Sequence, residues 1–123
     1  MSFLNDNNKE KLDSFVKFVK EQLELKSVPT IKIQDNREGL KTTANYDYTK
    51  ENKLIRVSSK GRALVDVMRS IAHEMVHHKQ FEQGRLDGPQ PPDIGGDIED
   101  EANAKAGQFI KMYAKKDPTI YGE

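Results

Sequence analysis

The apolar residues of this chain change period twice, from helical to alternating and back to helical, and few architectures accept that order. Leu12, Phe15, Val16, Val19 and Leu23 recur at helical spacing until Pro29 interrupts them. With Asn5 or Asp6 upstream as a cap, residues 1–28 read as an N-terminal helix. Over 29–58 the period falls to two, predicting strands at 30–34, 40–48 and 53–57 with turns at 35–39 and 49–52. Helical spacing returns over 59–83, where Leu64, Met68, Ile71 and Met75 form one stripe and Ser58 or Ser59 offers a cap. Residues 84–96, GRLDGPQPPDIGG, hold too much Gly and Pro for either period and read as a surface loop, either a border to a cleft or a plain connector. A third helix is expected over 97–116 and a partly mobile tail over 117–123. The expected fold class is α+β in a single domain: an N-terminal helix, a three-stranded, mainly antiparallel sheet, a second helix and a C-terminal helix.

Composition narrows the chemistry. Twenty Lys and Arg balance twenty Asp and Glu, so no overall field draws the chain onto nucleic acid or an anionic membrane. Cysteine is absent, which removes disulfides and thiolate ligands and leaves only nitrogen and oxygen to hold a metal. The first residues, MSFLNDNNKEKL, lack the apolar core of a signal peptide, and no stretch approaches the roughly 20 apolar residues of a membrane span. A cytoplasmic protein is expected.

The second helix contains IAHEMVHH. His73, Glu74 and His77 spell H-E-x-x-H, which sets two imidazoles one turn apart on one helix face with a carboxylate beside them. At about 100° per residue from Ile71, His73 and His77 project at about 200° and about 240°, away from the apolar stripe. His78 projects at about 340°, close to that stripe, and reads as structural. The bland alternative is a solvated helix that happens to carry His and Glu. Zinc accepts neutral imidazole readily, and a catalytic zinc site takes three protein ligands and leaves one position for water.

Four acids open the third helix: Asp97, Glu99, Asp100 and Glu101. Acids are favoured at a helix N-terminus by its dipole, so their number alone says little. Taking Ile98 as origin, Ala102, Ala106, Phe109, Ile110 and Tyr113 define a buried face, and Glu99 falls inside it at about 100°. Asp97 projects at about 260°, Asp100 at about 200° and Glu101 at about 300°, to the solvent side. A carboxylate on a buried face needs a partner, and a zinc ion between the two helices would supply one, making Glu99 the third ligand. Asn103, one turn on, is positioned to hydrogen-bond a ligand, or is simply a helix-face amide.

This pattern resembles the gluzincin metallopeptidases, in particular the minimal ImmA-like and SprT-like groups. The resemblance spans about 42 to 113 and rests on HEMVH, on EDEAN as a match to the family's E-x-x-A-D/N motif, and on a β-hairpin before the active-site helix. Where the family often has Asp after Ala, this chain has Asn103. Small metallopeptidase-like proteins of tailed phages are similar too. The resemblance implies a minimal zincin fold, a polypeptide substrate, and an edge strand, here Thr43, Ala44, Asn45 and Tyr46, that pairs with that substrate. The expected reaction is zinc-dependent peptide-bond hydrolysis with Glu74 as general base. Tyr46, Tyr113, Tyr121 and His78 are all open as donors to an oxyanion. Two other readings stand beside it: a zinc-bearing regulatory or binding module with little peptidase activity, and a metal-free interaction domain.

Overall fold

The protein is described by a computed structural model covering residues 3–40, 42–48, 53–86 and 96–121. Helix α1 spans Asp6–Leu23 and begins as expected, with the Asn5 side chain accepting a hydrogen bond from the Asn8 N–H at 2.8 Å. Strands β1 (Thr30–Gln34), β2 (Ala44–Asp47) and β3 (Leu54–Ser58) follow, then helices α2 (Leu64–Glu82) and α3 (Asp97–Lys116) and a 3₁₀ turn, Pro118–Tyr121. The order is the α+β order read from the periods. The expected turn at 49–52 and most of the expected loop, 87–95, lie outside the described residues.

The sheet is mixed rather than mainly antiparallel. Its strand order is β1-β3-β2, with β3 parallel to β1 and antiparallel to β2. Successive strands reverse direction, so seating the third between the first two makes one of the two pairings parallel. β3 takes the centre because Ile55 and Val57, both 0% exposed, need a neighbour on each flank as well as a helix above. β2 is shorter than the 40–48 expected, although the Thr43 carbonyl still accepts from the Ser58 N–H at 2.8 Å. That leaves β2 on an edge, with no strand along its outer side among the described residues.

Helix α2 is the centre of the molecule, in contact with α1, β2, β3 and α3. Val67, Met68, Ile71, Ala72, Met75 and Val76 are all essentially inaccessible, each large one contributing roughly 1.5–3 kcal/mol by its removal from water. Its main neighbour α3 buries the small residues Ala102 and Ala106, so the two axes can approach closely. Neither Ser58 nor Ser59 caps α2. Ala63 stands at that position without a side-chain bond, and Arg62 instead ties the entry together, donating to the carbonyls of Ser58 and Asp66 (both 2.9 Å) and to Ser70 Oγ (2.6 Å). The tail is anchored rather than loose as far as it is described, through 121: Ile120 is buried and Lys11 Nζ donates to Thr119 Oγ1 at 2.5 Å. No helix among the described residues is long and apolar enough to cross a membrane.

Candidate metal centre

The face of α2 opposite its apolar stripe meets the first turn of α3, and there the three expected ligands come together. His73 Nε2 lies 3.0 Å from Glu99 Oε1, and His77 Nε2 lies 3.1 Å from Glu99 Oε2. The two Nε2 atoms are 3.2 Å apart, with the rings nearly perpendicular at 85°. Two imidazole nitrogens and a carboxylate cannot present only lone pairs to one another at such distances, so a proton or a cation must lie among them. The spacing fits a cation: tetrahedral zinc, with ligands at about 2.0–2.1 Å, separates them by roughly 3.3 Å. Among the described residues this is the group of His and carboxylate side chains whose donor atoms can share an ion, all within 4.8 Å of one another.

Electrostatics point the same way at His73. Burial pushes its pKa below 6.5, and the neighbouring His77 lowers it further, while Glu99 and the Asn103 side chain pull it back up. The ring therefore favours its neutral, ligating form. Asn103 stands on the exposed flank of α3 and is not a buried helix-face amide. Glu74 is buried, at 8% exposed, and together with His73 and Asn103 it lines a groove of about 360 Å³ whose opposite wall is Thr43 and Ala44 at the β2 edge.

Of the four expected edge residues, Ala44, Asn45 and Tyr46 are in β2 and Thr43 immediately precedes it. Tyr46 does not offer its side chain to the groove. It is 3% exposed, and its hydroxyl lies 2.6 Å from Nδ1 of the equally buried His78. Nor do the other donors considered for an oxyanion reach this place. Tyr113 packs edge-on against Phe15, and Tyr121 lies by the α1 N-terminus. Ser70 and Asn103 line the groove instead.

Two residues of the site escape a reading by helical phase. Gln80, 0% exposed, bonds His77 Nδ1 through Oε1 at 2.8 Å and donates from Nε2 to Glu101 Oε1 at 2.9 Å. Glu101 is thus not on the solvent side as expected; it is half-buried and also accepts from Arg85 at 2.9 Å, and the Gln80 bond, helped by Arg85 and Lys105, holds its carboxyl below the usual pKa against the opposing effect of burial. A phase of about 300° is only about 60° from Ile98, so the signal lay in the angle. Asp97 and Asp100 are exposed, as expected.

Against protein-family models, curated proteins and solved structures, this chain finds no match. What the site does must be read from its own side chains.

Proposed function

We propose that this protein is a zinc-dependent peptidase in which His73, His77 and Glu99 hold the metal and Glu74 is the general base. The convergence of the two Nε2 atoms and the Glu99 carboxylate, with Glu74 beside them on a groove wall, carries this reading. Bound there, zinc would acidify a water and polarise a carbonyl. The chain's own residues account for the rest. Glu74 follows His73 directly on α2, within reach of the groove, where its carboxylate takes the proton of the attacking water and returns it to the departing amine. An extended polypeptide fits along β2, whose outer edge supplies backbone hydrogen-bonding groups while Thr43 and Ala44 face the reacting bond. The resemblance to minimal zincins is consistent with this reading, and the lack of a signal-peptide-like apolar core in the first residues adds the expectation of a cytoplasmic enzyme.

Metal content and peptide cleavage test the reading together. Purified protein should carry about one zinc per chain, and Glu74→Gln should keep that zinc while turnover falls roughly a hundredfold or more. A variant that cleaves as fast as the parent removes Glu74 from the mechanism. If the parent holds zinc yet cleaves nothing in a broad peptide library, the regulatory or binding module is the better description. Protein that takes up no zinc at neutral pH excludes both.

A further inference from the structure

A wholly buried amide must satisfy its donors and its acceptor within the protein, and for Gln80 those partners decide which way round it sits. Gln80 Nε2 faces the Ile98 carbonyl at 3.1 Å and Glu101 Oε1 at 2.9 Å. A carbonyl and a carboxylate only accept, so the end of the amide turned to them is the NH₂. Reversing it would forfeit both bonds and set lone pairs against lone pairs around a side chain that is 0% exposed. Arg85 donates to the same Glu101 oxygen at 2.9 Å, which keeps that carboxylate in place.

The consequence passes to His77. With its NH₂ committed to α3, Gln80 presents Oε1 to His77 Nδ1 at 2.8 Å, and an oxygen with only lone pairs requires N–H opposite it. A neutral imidazole carries one N–H, so its free lone pair is on Nε2, the nitrogen that points at Glu99 and His73. We propose that Gln80 is a positioning residue that holds His77 in the Nδ1–H tautomer and aims its Nε2 lone pair at the shared metal position, with Glu101 and the Ile98 carbonyl fixing the orientation of Gln80. This rests on the metal reading above. It also gives the first turn of α3 two tasks: Glu99 ligates, while Glu101, two residues on, orients the ligand supplied by the other helix. Losing the outer partner of a ligating histidine typically weakens metal binding about ten to a hundredfold.

The test reads the tautomer as well as the affinity. Long-range ¹H–¹⁵N spectra of ¹⁵N-histidine-labelled, metal-free parent at pH 8 should show His77 protonated at Nδ1. Gln80→Met, close in volume but without donor or acceptor, should yield a mixture of tautomers and a zinc affinity lower by roughly ten to a hundredfold, measured against a chromophoric chelator. Glu101→Gln, whose amide oxygen can still accept from Gln80 Nε2 and Arg85, should keep the Nδ1–H signal and most of the affinity, whereas Glu101→Ala should lose part of both, a contrast that mere filling of space at position 80 would not produce. An Nε2–H tautomer in the parent overturns the proposal, as does parent-like zinc affinity in folded Gln80→Met. If that variant does not fold, the parent spectrum and the Glu101→Gln and Glu101→Ala pair still decide. Absence of zinc uptake by the parent would fail the metal reading alone, since the tautomer is measured without metal.

Discussion

His77 and His78 are consecutive in the chain and point about 100° apart on α2, into two polar clusters of opposite character. His78 is spent internally. Tyr46 Oη lies 2.6 Å from its Nδ1, while its Nε2 faces the Ser27 carbonyl at 3.1 Å and Glu82 Oε2 at 3.3 Å. Glu82 in turn accepts from the backbone N–H groups of Lys26 and Ser27, so this knot ties the end of α2 to β2 and to the segment after α1. Burial pushes the pKa of His78 down and that of the Tyr46 hydroxyl up, and both groups stay neutral. His77 has one nitrogen occupied by Gln80 and the other turned to His73 and Glu99, groups of the kind that bind a metal. An imidazole whose two nitrogens are both satisfied by the fold supports structure; one with a nitrogen aimed at a second imidazole and a carboxylate is available for chemistry.

The largest effect that separates the clusters is on metal binding. Glu99→Ala and His77→Ala should each weaken zinc binding by more than the roughly hundredfold that loss of an outer partner can reach, whereas Asp100→Ala should bind as the parent does. Zinc titrations of the three variants side by side measure this, and retention of zinc by Glu99→Ala would dissolve the distinction between the two clusters.

His78→Ala should do the reverse. It leaves a cavity and strips Tyr46 and Glu82 of a partner, a loss of about 3 kcal/mol in unfolding free energy, yet the folded fraction should still take up zinc. Urea denaturation with and without zinc reads both quantities. A parent-like midpoint would mean that the knot contributes nothing.

Acidification provides a graded test. The pKa values of His73 and His78 are both lowered from 6.5, so between the lowered values and 6.5 the unfolded chain holds more protons than the folded one. Stability of the metal-free protein is therefore full above about pH 6.5 and declines as pH falls through that window, by at most about 1.4 kcal/mol per pH unit for each proton. Glu101 and Asp117, with lowered carboxyl pKa values, add their own loss only below about 4.5. Urea midpoints at pH 7.5, 6.5 and 5.5 trace the slope, and a flat profile would show that neither ring is buried neutral. The smallest effect belongs to Tyr46→Phe, which deletes the hydroxyl facing His78 Nδ1 and should cost about 1–2 kcal/mol by thermal or urea unfolding, with zinc binding unchanged.

Much of the site is legible in the sequence because helical phase is a local property. The turn-by-turn geometry of α2 places His73 and His77 on one face whatever surrounds them, and the apolar face of α3 singles out Glu99 from three neighbouring acids. The same reasoning sets His78 apart. It fails wherever a side chain answers to a different element. Phase leaves Glu101 just outside the buried arc of α3, and only Gln80 on α2 and Arg85 just after it decide that its carboxylate turns inward. Tyr46 reads as part of a substrate-facing strand, although its ring turns inward to His78.

Periodicity alone determined the sequence of helices and strands, the stripe that buries α2 and the spacing of the two histidines, since each depends only on rise and rotation per residue. Tertiary structure decided the strand order, the burial of Ile120, and the packing of α3 on α2 that brings Glu99 within 3.0 and 3.1 Å of two imidazoles and Gln80 against His77. Those outcomes depend on how the apolar surfaces of separate elements fit one another. No residue's own neighbours in the chain encode that fit.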